Sequence, residues 1–299
     1  NTATGYNSLN NNTTGLNNTA NGAETLYSNT TGSYNTASGR YSLNSNTSGS
    51  FNTAYGNDSL RANTTSNGNA AFGNGALYSN TGDSNTAVGN GSLQNNTTGI
   101  YNAAVGFSSL YTNTTGLQNT ALGMYSGYYI ATSTNNTLVG WGAGFGPSSA
   151  VTSSDNTLLG FKSGYNMGTT TGNLFLGYQS GINTTIGNYN IALGYNNNLA
   201  STTGSNQLNI GNLLYGTGLG INATQGTGGI GIGTSTPSAK FSVQAANGYS
   251  GALFDIASTT STGFATSSIF TVLANGNVGV GTSTPVAKLD VVGTTTLRG

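Results

Sequence analysis

One glycine sets the frame of this chain. The block Asn-Thr-Ala-x-Gly recurs with its closing glycine at Gly5, Gly22, Gly39, Gly56, Gly73, Gly89, Gly106, Gly123, Gly140, Gly160, Gly177, Gly194 and Gly211. Ten of the twelve intervals are 17 residues, one is 16 and one is 20. A fixed short period decides architecture before any local propensity does. With the block's Asn as position 1, the unit reads Asn-Thr-Ala-x-Gly-x-x-Ser-Leu-x-x-Asn-Thr-Thr-Gly-x-x, as in residues 102–118.

Seventeen residues are too few for helix-pair repeats of about 33 or more, and dense Gly, Thr, Ser and Asn oppose helix. The unit is therefore expected to be one coil of an all-β, parallel β-solenoid or β-roll, with two short strands per coil and glycine-assisted corners. Successive coils would stack at the strand spacing of about 4.8 Å, so thirteen would rise roughly 60 Å. Both irregular intervals fall in the second half of the unit, around Asn80-Thr81-Gly82 and from Gly146-Pro147-Ser148-Ser149 to Ser154-Asp155. Length changes are cheap in turns, so Asn-Thr-Thr-Gly reads as the turn and Asn-Thr-Ala-x-Gly as the strand.

Two apolar rows are expected to face inward. Position 4 runs from Thr4, Asn21, Ser38, Tyr55 and Phe72 to Val88, Val105, Leu122, Val139, Leu159, Leu176, Leu193 and Ile210. Position 9 carries Leu9, Leu26, Leu43, Leu60, Leu77, Leu93 and Leu110, then Gly127, Gly144, Gly164 and Gly181. Leu, Ile, Val and Phe supply 57 of 299 residues, against 48 Gly. That is just under the roughly 20% at which a conventional core becomes doubtful. So thin a seam predicts association of several chains along the fibre axis. The recurring Asn are expected to stack in hydrogen-bonded ladders. Their Asn-x-Thr triplets, such as Asn29-Thr30-Thr31 and Asn113-Thr114-Thr115, match a glycosylation sequon but follow from the turn chemistry.

Charge and composition exclude several functions. Six basic and six acidic residues leave no basic stripe to neutralise phosphates, which argues against nucleic acid. No apolar run reaches 18 residues, so no membrane-spanning helix is expected in this segment. Cys and His are both absent, removing disulfides, thiolate metal sites and the usual general base. Neither a metal nor a cofactor is implied, and no enzyme is expected. Among the acids only Glu24 and Asp58 share a repeat position, and two solvated surface carboxylates are preferred over a glycosidase-like pair. Gly216-Thr217-Gly218-Leu219-Gly220 and the glycines of 229–233 lack the Lys-Ser/Thr signature of a phosphate loop and read as β corners.

The rhythm fades after Gly211. Gly231-Ile232-Gly233-Thr234-Ser235-Thr236-Pro237-Ser238-Ala239-Lys240 returns 48 residues later as Gly279-Val280-Gly281-Thr282-Ser283-Thr284-Pro285-Val286-Ala287-Lys288. Each copy joins two alternating strands through a Pro turn, and 269–280 reads as a hairpin about Asn275-Gly276. Two regions are therefore expected: a β-roll over 1–221 and a repetitive β module over 222–299. The chain opens inside one repeat and closes inside another, which predicts a longer polypeptide.

The Asn-Thr-Ala-x-Gly coil resembles the head repeats of trimeric autotransporter adhesins, and the Gly-Ile-Gly-Thr-Ser-Thr-Pro unit resembles shaft modules of phage-type tail fibres and bacterial surface fibres. These resemblances imply a homotrimer, an extracellular location on a cell surface or virion fibre, and attachment to a host-cell or surface glycan or protein. A purely structural filament is the alternative. The candidate contact row is Tyr27, Tyr78, Tyr111, Tyr128 and Tyr165, all at position 10 with Phe145. Such a row can bind sugar rings or another surface, while packing between chains is the preferred expectation. A Thr row at position 2 (Thr2, Thr19, Thr36, Thr53, Thr86, Thr120, Thr137, Thr157) is expected to be buried; exposed on a flat face, it would instead suggest an ice-ordering surface.

Overall fold

The computed structural model describes residues 1–147, 151–218, 228–246, 248–259 and 266–293, and these contain no helix. The described residues divide into two compact units, one over Asn1–Asn212 with Gly218 and a second over Leu213–Thr217 with the residues from Gly228 onward. The first is a parallel β-solenoid of thirteen three-residue strands, from Thr2–Thr4 to Leu208–Ile210. Each strand pairs in parallel with the next, residue for residue: Thr19 opposes Thr36 and Ala20 opposes Ala37. The short and long coils keep this register, with Ala70 opposite Thr86 and Thr137 opposite Thr157. Their length change is taken up away from the strand, as the turn reading requires.

Only one strand forms per coil. The expected second strand is replaced by two consecutive turns, closed by bonds from the position 8 N–H to the glycine carbonyl (Ser59 to Gly56) and from the position 12 N–H to the position 9 carbonyl (Asn63 to Leu60). The reason is backbone handedness. From Gly5 to Gly194 the corner glycine sits at φ of 127 to 143°, and positions 7, 9 and 17 are left-handed in nearly every coil even without glycine, as at Glu24, Leu26 and Tyr34 (φ 55, 50 and 60°). A left-handed L-residue costs about 1–2 kcal/mol. Burying a Leu side chain offsets this with about 1.5–3 kcal/mol. Coil-to-coil bonds also continue around the turns: Tyr41 N–H donates to Ala23 C=O and Leu43 N–H to Ser59 C=O, so few backbone groups are orphaned.

The core is thinner than expected and differently faced. Position 3 points inward, not position 4: Ala54, Ala71, Ala87 and Ala104 are fully buried, whereas Leu122 and Leu159 at position 4 are 48% and 44% exposed. Alternation then turns position 2 outward with position 4, so the Thr row lies on the outer face. Both expectations fail on the same one-residue shift. The Leu row at position 9 is buried as expected, from Leu26 to Leu110. From Gly144 its replacement by glycine follows the inner wall: where position 3 grows to Leu138, Leu158 and Phe175, position 9 of the same coil shrinks to Gly144, Gly164 and Gly181. Gly127 instead shares its coil with Ala121, and a Cβ there would meet Leu110, Ile130 and Leu138. A Cβ on Gly164 would come within 2.9 Å of the Leu158 side chain, and one on Gly181 would meet the Phe175 ring.

Two Asn ladders line the rest of the interior. At position 1 each side-chain carbonyl accepts the backbone N–H of the next coil's Asn, as Asn85 Oδ1 does from Asn102 at 3.0 Å. The amide group donates to a turn carbonyl, as Asn102 does to Gly116 at 2.8 Å. At position 12, Asn29, Asn46 and Asn63 pass amide bonds from coil to coil at 2.7–2.8 Å. Ile130 ends this ladder, and Asn113 Oδ1 is left without a donor. Asn29 and Asn113 are fully buried, so their sequons are closed in the folded coil.

The second unit holds the duplicated Gly-Thr-Ser-Thr-Pro motif. In both copies the flanking strands pair in parallel at an offset of 11 residues, Ile230 with Phe241 and Val278 with Leu289. Thr234 and Thr282 hydroxyls accept the N–H of Thr236 and Thr284, which shapes the same turn twice. The expected hairpin is present: Thr266–Leu273 runs antiparallel to Val278–Val280 about Gly276 (φ 80°). Among the unit's described residues Pro285 is the one apolar side chain larger than glycine that is buried, and Phe241, Leu289 and Val286 are exposed.

Candidate surface-binding site

Turns that send alternate side chains outward at a fixed height turn sequence periodicity into ladders. The predicted row at position 10 is continuous over only part of its length: Tyr111, Tyr128, Phe145 and Tyr165 stack at ring separations of 5.0, 5.3 and 4.8 Å, with planes within 17°. Tyr27 and Tyr78 stand apart from this run, because Asn44, Arg61 and Gln94 intervene. Tyr78 lies under the Arg61 guanidinium at 5.8 Å, and Arg61 also pairs with Asp58 at 2.9 Å. That ion pair occupies the carboxylate that any joint chemistry with Glu24 would need.

A second ladder, not expected from the sequence, runs beside the first at position 6. Trp141, Phe161, Tyr178 and Tyr195 stack at 5.1, 5.2 and 4.9 Å. It could have been found by extending the same alignment one residue past the corner glycine, where Phe107 and Met124 precede Trp141. The corner glycines bring the ladder out of the strand. A Cβ at Gly123 would stand 2.6 Å from the Gly140 carbonyl oxygen, so no side chain separates adjacent coils there and the following residues stack directly.

Between the ladders lies position 7, filled in succession by Tyr125, Gly142, Lys162 and Gln179. Tyr125 stands nearly perpendicular to Trp141 and Phe145, at 87° and 89°, and closes one end of the groove. Gly142 is buried there and carries no side chain. Lys162 sits at the other end, its Nζ 5.1 Å from the Trp141 ring and 4.9 Å from that of Tyr165. Tyr125, Tyr128, Tyr129, Trp141, Phe145 and Tyr165 surround a hollow of about 360 Å³. All six are partly exposed. Burial, reinforced by the phenols of Tyr111, Tyr129 and Tyr125, raises the Tyr128 hydroxyl above the usual phenol range.

Elsewhere, Gly216 and Gly231 lie in strands, and neither glycine-rich loop precedes a helix among the described residues; Leu219 and Gly220 lie outside them. The described residues contain no cluster of three acids suited to a metal ion. Comparison with protein families, with curated proteins and with solved structures finds no match.

Proposed function

We propose that this chain is a non-catalytic segment of an elongated extracellular fibre, carried on a cell surface or a virion, that attaches to a surface through many equivalent weak contacts. The observation that carries the reading is the second unit, whose described residues bury no aliphatic or aromatic side chain beyond Pro285 while presenting Phe241, Ile256 and Leu289. A polypeptide with so little core of its own gains stability by packing on copies of itself, and a homotrimer aligned along the coil axis is the arrangement favoured. The outward Leu122, Leu159 and Leu176 of the roll extend the same apolar demand. Repetition supplies the attachment, because linked sites at fixed spacing bind far more strongly together than singly.

Light scattering on the whole chain tests this. A species near three times 30.0 kDa supports the trimeric fibre, while a monodisperse monomer refutes self-association. A purely structural filament would instead grow to indefinite length and adhere to nothing. The outward Thr row favours one further reading, an ice-ordering face, since regularly spaced hydroxyls lie on a parallel sheet. That reading fails if the chain shows no thermal hysteresis.

A further inference from the structure

The hollow between the two ladders has a composition that selects its ligand. At about 360 Å³ it falls within the roughly 300–1,000 Å³ range of small-molecule sites. Its walls are aromatic rings set both parallel and perpendicular to one another, so an entering group meets ring faces and edges together. Around the rim stand the hydroxyls of Tyr125, Tyr128, Tyr129 and Tyr165, the Trp141 indole N–H and the Lys162 ammonium. None of these has a hydrogen-bond partner among the described residues. Aromatic faces with a rim of unused donors suit a flat group that carries C–H bonds on one side and hydroxyls at its edge, which is the chemistry of a pyranose ring.

Charge narrows the class. Lys162 already holds the cation–π position over Trp141, Phe161 and Tyr165, so a second cation would meet like-charge repulsion where an aromatic cage would otherwise welcome it. The ammonium makes no ion pair among the described residues, whose one salt bridge is Arg61–Asp58. A carboxylate is its natural complement. We propose that Tyr125, Trp141, Gly142, Phe145, Lys162 and Tyr165 form a binding site for an acidic pyranose, a uronate-type sugar of a surface polysaccharide. The rings take the sugar face, Gly142 leaves room for it, and Lys162 pairs with its carboxylate. This inference rests on the attachment reading and gives it a ligand class.

Position 7 is glycine in three coils, at Gly75, Gly91 and Gly142, and of these Gly142 is the one that lies between the two aromatic ladders. Position 7 accepts side chains in the left-handed conformation elsewhere, including Asn7 and Asn196, so glycine is not demanded by the backbone. A Cβ on Gly142 would lie 3.1 Å from the ring of Tyr165, which lines the hollow, and 3.8 Å from the Lys162 side chain.

The test uses the only Trp in the chain as its reporter. Trigalacturonate titrated into the whole 299-residue chain should change Trp141 emission saturably. Lys162→Gln should weaken this by at least about tenfold while leaving neutral maltotriose unaffected. Gly142→Asn should abolish it while far-ultraviolet circular dichroism still shows the folded chain. Absence of any trigalacturonate response from the folded protein overturns the proposal, as does equal binding of the two sugars or tighter binding of tetramethylammonium. Adhesion of the wild-type chain to polysaccharide-free cells would then leave the attachment reading standing. Conversely, saturable sugar binding by a chain that adheres to nothing would sink that reading and keep the site.

Discussion

Exchange of volume between the two walls of the coil can be tested by a double-mutant cycle at Ala87 and Leu93, which are both fully buried in one coil. Ala87→Leu alone forces about three extra carbons into a filled interior, and overpacking of that kind costs about 1–3 kcal/mol. Leu93→Gly alone removes a buried Leu and leaves a cavity, at a cost of about 2–5 kcal/mol. Part of this is returned, because Leu93 sits at φ 50°, a conformation that glycine adopts without strain. Together the changes recreate the pairing of Leu138 with Gly144 and of Leu158 with Gly164. The double variant is therefore expected within about 2 kcal/mol of wild type, although the singles would sum to about 3–8. Urea unfolding followed by circular dichroism measures all three. If the double variant loses the sum of the single losses to within about 0.5 kcal/mol, the two walls do not share a space and the reasoning fails.

Three further outcomes follow from the same structure. Asn102→Ala removes both the acceptor for Asn119 N–H and the donor to Gly116 C=O, and is expected to destabilise by about 2–4 kcal/mol in the same assay; a loss under 1 would mean water replaces the amide. Gly89→Ala places a methyl 2.5 Å from the Gly106 carbonyl oxygen at a φ of 129°, so hydrogen exchange at the Gly89 and Gly106 amides should accelerate by about a hundredfold or more; unchanged protection would refute the corner's role. The raised pKa of Tyr128 means that its neutral form is favoured in the fold, so its share of stability is complete below the ordinary Tyr value and is lost as pH rises through the folded one. Tyr128→Phe should then flatten the alkaline fall in urea midpoint, and an identical fall in both proteins would remove Tyr128 as its source.

Much of the fold was legible because it is written in spacing. The Leu row and the Asn ladders each repeat at the coil period, and both occupy the places expected of them. The inward face of the strand was not legible, for a physical reason. A three-residue strand has one side chain on one face and two on the other, and hydrophobicity pointed to Val88 or Leu122 over Ala87 or Ala121. The interior here is so narrow that only Ala fits opposite Leu, and the larger aliphatics are left outside. A one-residue error in facing then carries the Thr row with it. A second strand was expected where turns form because left-handed Leu and Glu look extended in sequence, where nothing but glycine announces φ above zero. The aromatic hollow combines positions 6, 7, 10 and 11 of successive coils, and scanning one row at a time cannot reveal a site that crosses rows.

The register of the strands has a consequence for how such a chain changes over generations. Every coil offers the same donors and acceptors to its upper neighbour that it receives from its lower one, and Thr19 meets Thr36 as Thr36 meets Thr53. Insertion or loss of one whole unit therefore leaves every remaining junction as it was. Reach becomes a quantity that unequal recombination can adjust in steps of about 4.8 Å, like links added to a chain, while the features that distinguish individual coils travel with their links.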